Sequence, residues 1–412
     1  MNAVILSIGT ELVRGLRRDT HAADIARAVG ALGIDVVRHE TVDDAARAVA
    51  AAVRRAAGEA DVVIATGGLG PTRDDCTRHG LAEAMDAALA EHPDAMAHLE
   101  AWAESRGKRI SESNRVQALL PEGAEPLPNP VGTAPGIAAR LGEAQVFCLP
   151  GVAGEMRTML QATVLPRLRA AAPGRVTRVR TVRTFGLPES EVGERLSDLM
   201  AAGRPTRLGT ACHAGVIDVH VHASGPADEV DRLLEADVAV VRERLGDAVF
   251  GEGGRTMEAA VADRLKAAAA TVALAESCTG GLVAARLVGV PGMSDHLLEA
   301  VVAYANASKV ETLGVAESLL ATHGAVSEPV ARAMAEGVRD RAGADLALAV
   351  TGIAGPGGGT PEKPVGTVWF ALADAADTRA VHERLPGDRA LVRERAALYA
   401  LNLLRLRLGG IE

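Results

Sequence analysis

Residues 271–281, TVALAESCTGG, decide the fold of the last third of the chain. A short apolar run that ends in polar residues and a glycine pair predicts a buried strand, a tight turn and then a helix. The turn sets the hydroxyl of Ser277 at the tip of the strand. Because glycine lets the backbone approach a ligand closely, we expect the N–H groups of Gly280 and Gly281 to face a substrate at the helix N-terminus.

The same strand–turn–helix pattern recurs along the chain. Strands that alternate with helices predict α/β folds at both ends of the chain: a doubly wound N-terminal domain and an α/β C-terminal domain. Each is expected to have a parallel sheet with ligands at the carboxyl ends of its strands. We expect strands over residues 3–8, 61–65, 146–149, 346–350 and 367–372, and a long final helix from residue 389 to about residue 406.

Two small-residue stretches, AAAPG at 170–174 and GEGG at 251–254, predict domain boundaries. They divide the chain into domains over 1–170, 175–250 and 254–412. The middle domain is predicted to be a small α+β module, with strands over 176–185 and 216–221 and helices over 189–200 and 227–245.

Composition narrows the possible functions. The chain has 412 residues, a net charge of -9 and only 2% aromatic residues. Nucleic-acid binding needs basic surface and stacking aromatics, so we expect no direct nucleic-acid binding. Four widely spaced cysteines predict neither a zinc site nor a disulfide framework. No stretch predicts a leader or a membrane span, and we expect a cytoplasmic protein without a membrane partner.

A serine hydroxyl is a weak nucleophile that needs a base. The segment VVAYANASKVETLGV at 301–315 offers Lys309, and a desolvated lysine can lose its proton near neutral pH and activate a serine. Tyr304 in the same segment and Thr351 at the tip of a later strand are candidates to assist. The residues therefore predict a serine–lysine pair.

Other interpretations of these residues stay open. Ser277 and Thr279 could form a helix cap, and Tyr304 could belong to the core. Lysines are mostly solvated, so Lys309 could lie on the surface. Cys278 is a rival nucleophile, because a thiolate at a helix N-terminus is activated.

Four ordered segments of this region resemble the nicotinamide-nucleotide amidase domain of the competence/damage-inducible CinA family: ESCTGG at 276–281, YANASK at 304–309, TGIAGPGGGTPEKPVGTVW at 351–369 and GDR at 387–389. The resemblance implies hydrolysis of nicotinamide mononucleotide to nicotinic acid mononucleotide and ammonia, without a cofactor. It implies that Ser277 is the nucleophile and Lys309 its base, with Tyr304 and Thr351 assisting.

The glycine-rich loop of the third segment suits the ribose phosphate of that substrate, because successive backbone N–H groups make an anion-binding nest. An arginine adds positive charge there, and the sequence does not choose between Arg389 and Arg393. The expected substrate contacts are Thr279, Gly280, Gly281, Gly355, Gly357, Gly358, Gly359, Arg389 and Arg393.

A second glycine-rich turn, TGGLG at 66–70, follows a predicted strand and suits a phosphate or pyrophosphate. Carboxylates near it could hold a divalent cation, which would neutralise a pyrophosphate and polarise its phosphorus. The candidate carboxylates are Asp43, Asp74, Asp75 and Glu11. Asp74 or Asp75 could instead cap the next helix.

Further segments resemble the molybdopterin-binding fold of full-length CinA proteins: SIGTEL at 7–12, VDD at 42–44, TGGLGPTRDDCT at 66–77, NRVQALLPEGAEPLPNPVGTAPG at 114–136 and LPGVAGEM at 149–156. GLPESEV at 186–192 resembles the family's linker domain. The resemblance implies a homodimer and a metal-dependent ADP-ribose pyrophosphatase, with Asp75 as its key aspartate. His21 stands where many relatives carry asparagine. The expected contacts with ADP-ribose are Thr10, Glu11, Gly67, Gly68, Gly70 and Asn114.

Three other functions remain compatible with part of this pattern. The N-terminal domain could bind a nucleotide or a pterin without catalysis, and release of AMP from ADP-ribose that is lost in Asp75→Ala would separate the two cases. An interaction protein in DNA uptake or repair fits the family's name but not the acidic, aromatic-poor composition. Molybdenum-cofactor synthesis fits the N-terminal fold and leaves the amidase segments unexplained.

Overall fold

The computed structural model describes residues 1–107, 109–171 and 174–410. The chain forms two compact units, one of Met1–Arg178 with His222–Leu234 and the other of Val179–Val221 with Glu235–Glu412. The predicted linker at 170–174 includes two residues, 172 and 173, that lie outside the described residues. The predicted division into three domains stays a prediction. Among the described helices, none has the length and apolar character needed to cross a membrane.

The N-terminal region alternates strands and helices, as its sequence predicts. Its strands are β1 (Asn2–Ile8), β2 (Asp35–Val42), β3 (Val62–Thr66), β4 (Leu89–Glu91), β5 (Leu119–Pro121), β6 (Glu125–Leu127), β7 (Gly136–Leu141) and β8 (Ala144–Leu149). Its α-helices are α1 (Thr10–Val13), α2 (His21–Gly30), α3 (Ala46–Glu59), α4 (Thr77–Met85), α5 (Pro93–Glu104), α6 (Glu112–Arg115), α7 (Ala153–Met159) and α8 (Leu165–Ala171).

Six of these strands form one sheet in the order β2-β1-β3-β8-β7-β6. Strands β2, β1, β3 and β8 run parallel. The expectation of an entirely parallel sheet is wrong at the other edge, where β7 and β6 are antiparallel. Only two residues join β7 to β8, which is enough for a hairpin and too short for a helical crossover.

The middle segment is an α+β module, as predicted. It contains β9 (Val176–Phe185), α9 (Glu189–Arg195), β10 (Thr206–His213), β11 (Val216–Gly225), α10 (Ala227–Leu245) and β12 (Val249–Glu252). The sheet order β10-β11-β9-β12 with this βαββαβ sequence is the split βαβ arrangement of ferredoxin-like folds. Helix α9 ends at Arg195, five residues before the predicted end.

The C-terminal region again alternates strands and helices. Its helices are α11 (Met257–Ala268), α12 (Leu282–Val288), α13 (Asn306–Leu313), α14 (Glu317–His323), α15 (Glu328–Ala342) and α16 (Arg389–Leu408). Its strands are β13 (Val272–Glu276), β14 (Leu297–Val302), β15 (Leu346–Gly352), β16 (Thr367–Ala373) and β17 (Thr378–Arg384).

These five strands form a sheet in the order β14-β13-β15-β16-β17. Strands β14, β13 and β15 are parallel, whereas β16 and β17 are antiparallel because no helix returns the chain between them. Side chains alternate across the sheet. Val272 and Leu274 pack in a cluster with α11 and α16, and Ala273 and Ala275 pack in a second cluster with α15. Both faces are therefore buried.

Candidate active site

Ser277 lies at the carboxyl end of β13, next to the end of β15. The two strands are parallel neighbours, and the Ser277 N–H donates to the carbonyl of Val350 at 2.9 Å. The carboxyl ends of parallel strands share one edge of a sheet, so Ser277 and Thr351 come together as the sequence predicts. The side chain of Ser277 is only 8% exposed.

Lys309 reaches Ser277 from α13. Its Nζ lies 3.3 Å from the Ser277 Oγ and donates to the carbonyls of Ala303 at 2.8 Å and Tyr304 at 3.3 Å. Lys309 is 1% exposed, and this burial lowers the pKa of its ammonium group. Within the described residues no carboxylate pairs with it. The surface interpretation of Lys309 is therefore wrong.

A cavity of about 200 Å³ opens in front of this pair. Thr351 is buried in its wall, where its hydroxyl donates to the carbonyl of Ala325 at 2.9 Å. Tyr304 is 60% exposed, so the core interpretation of this residue is wrong. The lining residues are Ser277, Cys278, Tyr304, Asn306, Lys309, Ala325, Val326, Thr351, Gly352, Ala354 and Arg389.

The two candidate arginines, Arg389 and Arg393, form different contacts. Arg389 lines the cavity, and its Nη2 donates to the Tyr304 hydroxyl and its Nη1 to the carbonyl of Gly355, both at 2.8 Å. Arg393 instead donates to the carbonyl of Thr279 at 2.8 and 3.3 Å. Of the two arginines, Arg389 lies in the cavity lining and Arg393 does not.

The expectation that Gly280 and Gly281 offer free N–H groups to a ligand is wrong. The Gly280 N–H donates to the carbonyl of Ser277 at 3.1 Å, and the Gly281 N–H donates to the Glu276 carboxylate at 2.9 Å. Both donors are used inside the turn. Glycine is nevertheless needed at both positions, because their φ angles are +62° and +89°.

The remaining predicted contacts lie around the cavity rather than in its lining. Thr279 is fully buried, and among the described residues its hydroxyl has no hydrogen-bond partner. Gly355 is buried and uses its carbonyl to accept from Arg389. The loop glycines Gly357, Gly358 and Gly359 are exposed. The predicted contact of this loop with a phosphate stays a prediction.

Cys278 is a poor nucleophile in this structure. Its side chain is 5% exposed, and burial raises the pKa of its thiol to about 12. A thiol with that pKa holds almost no thiolate at neutral pH. The helix-cap interpretation of Ser277 and Thr279 also fails, because Gly281 is the N-cap of α12 and receives no side-chain cap bond from either residue.

The N-terminal region contains a larger cavity, of about 360 Å³, at the carboxyl ends of β1 and β3. Of the predicted contacts, Glu11 and Gly67 line it. So does His21, and its Nδ1 lies 3.4 Å from the Thr66 hydroxyl. The lining residues are Ser7, Ile8, Glu11, Leu12, Arg17, Arg18, Asp19, Thr20, His21, Thr66, Gly67, Gly151, Val152 and Ala153.

Sequence reasoning did not assign Ser7, Arg17, Arg18 or Asp19 to this lining. Arg17 and Arg18 are exposed and carry the positive charge that the glycine-rich turn alone lacked. Ser7 is 1% exposed, and its hydroxyl has no partner among the described residues. A buried polar group without a partner costs stability unless a ligand or water supplies a bond. Its signal in the sequence is a lone serine in the apolar run 3–8.

Other predicted N-terminal residues form bonds within their own loops. Thr10 donates to Asp44 at 2.6 Å. Asp43 accepts from the N–H of Ala45. Asn114 donates to Gln117 at 3.0 Å. These residues are therefore engaged in local structure and do not line the cavity.

Asp75 lies in the loop before α4, outside the cavity lining. Its Oδ2 accepts from the N–H and the hydroxyl of Thr72, at 2.9 and 2.5 Å. A side chain at Gly70 would collide with this carboxylate, and Gly68 has a φ of +65°, so both glycines shape the loop. Asp74 is exposed. Among the described residues no three His, Cys, Asp or Glu side chains group into a metal site, so Asp43, Asp74 and Asp75 do not form the predicted cluster.

Comparison with known sequence families gives three consecutive matches. Residues 4–170 match the probable molybdopterin binding domain, residues 179–251 match the damage-inducible protein CinA KH domain, and residues 254–408 match the CinA C-terminal domain.

Relatives match over the whole length. A CinA-like protein of Geobacter metallireducens is 45% identical over 410 residues, which cover 99% of each chain. A CinA-like protein of Gemmatimonas aurantiaca is 44% identical, covering 98% of this chain and 96% of its own. A crystal structure of the protein CinA from Thermoplasma acidophilum is 33% identical and covers 41% of this chain and 99% of its own, with a TM-score of 0.38.

Proposed function

The chain belongs to the CinA family, and we propose that its C-terminal domain is an amidase that hydrolyses nicotinamide mononucleotide to nicotinic acid mononucleotide and ammonia. One observation carries the proposal: a buried lysine amine lies 3.3 Å from a buried serine hydroxyl at a cavity wall. This is the nucleophile–base geometry of acyl transfer.

The proposed mechanism uses one amine for every proton transfer. Neutral Lys309 takes the proton of Ser277 while the Ser277 Oγ attacks the carboxamide carbon, and the carbonyl π electrons move to oxygen. The intermediate collapses, the C–N bond breaks, and Lys309 returns the proton so that ammonia leaves. Water then attacks the ester with Lys309 again as base, which releases the carboxylate and restores Ser277.

Arg389 supports the phosphate end of this substrate. It is the guanidinium in the cavity lining, and its bonds to Tyr304 and Gly355 hold it between the tyrosine and the glycine-rich loop. A planar guanidinium is well suited to bind a phosphate through two hydrogen bonds. We therefore assign phosphate binding to Arg389, and the carboxamide to the Ser277 end of the cavity.

The test is release of ammonia from nicotinamide mononucleotide by the parent chain and by Ser277→Ala. We expect the variant to lose about a thousandfold or more in rate, because the nucleophile is absent. Its hydrolysis of ADP-ribose is expected to match the parent and serves as the control for folding. Parental ammonia release by Ser277→Ala would refute the assignment.

We also propose that the N-terminal domain hydrolyses the pyrophosphate bond of ADP-ribose. Arg17 and Arg18 support this proposal, because they place two positive charges at a cavity large enough for part of a nucleotide. The carboxylates of Glu11 and Asp19 also line the cavity. They fit the oxygen ligands that a hard divalent cation takes together with substrate phosphates, and such a cation would neutralise the pyrophosphate. Chelator is expected to stop this activity and spare the amidase, and equal inhibition of both would contradict two separate sites.

A further inference from the structure

Glu276, the last residue of β13, is a buried carboxylate directly before Ser277. It is 1% exposed. Its Oε2 accepts from the N–H groups of Gly281 at 2.9 Å and Val283 at 3.2 Å, and its Oε1 accepts from the N–H of Ala284 at 2.8 Å. Within the part of the chain that the structure describes, no arginine, lysine or histidine forms an ion pair with it. Backbone N–H groups alone therefore compensate its charge.

This arrangement differs from ordinary helix capping. A cap is usually a short side chain at the N-cap position, but the N-cap of α12 is Gly281, which has none. A buried carboxylate is costly unless its oxygens are bonded, and a mere cap would not require one at the end of a strand. The Glu276 carboxylate instead links the end of β13 to the first turn of α12.

These hydrogen bonds close a ring that contains the backbone of the nucleophile, Ser277. Ser277 is part of this ring, which runs along the backbone from Glu276 to Gly281 and closes through the bond from the Gly281 N–H to the Glu276 carboxylate. The Gly280 N–H donates to the Ser277 carbonyl inside the same ring. On the other side, Arg393 donates to the Thr279 carbonyl. Charged side chains therefore bind the turn at both kinds of backbone group: Glu276 accepts from the Gly281 N–H, and Arg393 donates to the Thr279 carbonyl.

We propose that Glu276 is a positioning residue for the amidase: by binding the first turn of α12 it fixes the turn of Ser277 so that Oγ stays within reach of the Lys309 amine. The inference rests on the proposed amidase function. Loss of the three bonds frees the turn, and a nucleophile displaced by about 1 Å costs on the order of a hundredfold in rate. Substrate binding depends on other residues of the cavity and changes little.

The experiment compares the parent, Glu276→Gln and Glu276→Ala, with Thr256→Val as the matched control. Thr256 is the N-cap of α11 and accepts from the Ala259 N–H at 3.3 Å, so Thr256→Val loses a helix cap elsewhere in the C-terminal region. Glutamine keeps the shape of glutamate but sets an NH₂ group against N–H donors, so it cannot restore all three bonds.

Both Glu276 variants are expected to lower kcat for nicotinamide mononucleotide, Glu276→Gln by about tenfold and Glu276→Ala by about a hundredfold. Their KM should stay within about threefold of the parent's. Amide hydrogen exchange should accelerate at Gly281, Val283 and Ala284. Thr256→Val should keep the parental kcat. A folded Glu276→Gln with parental kcat, or an equal fall of kcat in Thr256→Val, would overturn the inference.

A second readout does not need the natural substrate. A fluorophosphonate labels an activated serine by forming an Oγ–P bond as the P–F bond breaks, with fluoride leaving and the serine proton passing to Lys309. Labelling of Ser277, followed by intact mass, should slow in Glu276→Gln in proportion to kcat. If the parent is labelled but releases no ammonia, the amidase proposal fails while this test still decides the role of Glu276. If the Gln variant is labelled at the parental rate, the positioning role fails.

Discussion

The two candidate sites differ in what holds their functional groups in place. At the C-terminal site two ionisable side chains are buried and bound to backbone, Lys309 to two carbonyls and Glu276 to three N–H groups, whereas Arg389 is exposed. At the N-terminal cavity Arg17 and Arg18 are exposed. Asp75 lies in a loop, and its carboxylate accepts from the N–H and the hydroxyl of Thr72.

This difference indicates two ways of organising polar chemistry. Buried groups with fixed partners are preorganised, so the C-terminal site has its reacting geometry before the substrate binds. Exposed arginines and loop carboxylates are screened by water and gain order from a ligand. We therefore expect single substitutions to have larger effects at the C-terminal site, and solution conditions to have larger effects at the N-terminal one.

The largest effect is expected for Lys309→Met. Methionine fills a similar buried volume without an amine, so ammonia release from nicotinamide mononucleotide should fall about a thousandfold. ADP-ribose hydrolysis should stay at the parental rate. Retention of more than about a tenth of the ammonia release would show that another group is the base and that the buried amine is structural.

The same residue predicts a pH dependence. Burial lowers the pKa of Lys309 below its ordinary 10.5, and only the neutral amine can accept a proton, so kcat/KM should rise with pH through the lowered pKa. Between that pKa and 10.5 the unfolded chain binds the extra proton, so this group makes stability increase with pH. Lys309→Met should therefore raise the Tm at neutral pH, and by less as pH approaches 10.5.

At the N-terminal site the test is Asp75→Asn against its neighbour Asp74→Asn. The Asp75 carboxylate accepts from the N–H and the hydroxyl of Thr72 and holds the loop before α4, whereas Asp74 is exposed. We therefore expect Asp75→Asn to lower ADP-ribose hydrolysis by about a hundredfold through the shape of this loop, and Asp74→Asn by less than about threefold. Ammonia release is the internal control in both. If Glu11→Gln abolishes hydrolysis and Asp75→Asn does not, the catalytic carboxylate is the one in the cavity lining.

The sequence predicts the fold of both sites better than it predicts their hydrogen bonds. Ser277 and Thr351 were predicted at the ends of two strands, and they lie close together because the carboxyl ends of parallel strands share one edge of the sheet. Spacing alone does not show that Thr10 donates to Asp44 or that Asp43 accepts from the Ala45 N–H, and neither bond was predicted.

The sequence also did not reveal which groups form hydrogen bonds with the backbone N–H groups of the turn. The N–H of Gly281 looked available, although Glu276 was the clue: a carboxylate at the end of an apolar strand is buried and must find donors. Burial of Lys309 depends on how α13 packs, and residue type alone favours the surface. The antiparallel edges of both sheets follow from connections that contain no helix, which the predicted alternation of strands and helices did not take into account.

A smaller effect separates the two arginines of the C-terminal site. Arg389→Leu should raise KM for nicotinamide mononucleotide about tenfold to a hundredfold, the worth of a charge-assisted hydrogen bond, and leave kcat within a few fold. The riboside, which lacks the phosphate, should lose little. Arg393→Leu frees the Thr279 carbonyl and should lower kcat instead. If KM rises in Arg393→Leu and not in Arg389→Leu, Arg393 is the arginine that binds the phosphate.

The smallest effect on ammonia release is expected for substitution of Cys278, the residue after Ser277. Cys278→Ala should keep ammonia release within about threefold of the parent, because the thiol is buried and its pKa of about 12 leaves almost no thiolate at pH 7. Iodoacetamide, followed by peptide mass, should modify the exposed Cys212 and leave Cys278 unmodified while activity persists. Inactivation that tracks alkylation of Cys278 would make the cysteine the reacting group. The contrast between a preorganised C-terminal site and a ligand-organised N-terminal one would then lose its main support, because the serine–lysine pair would no longer carry the chemistry.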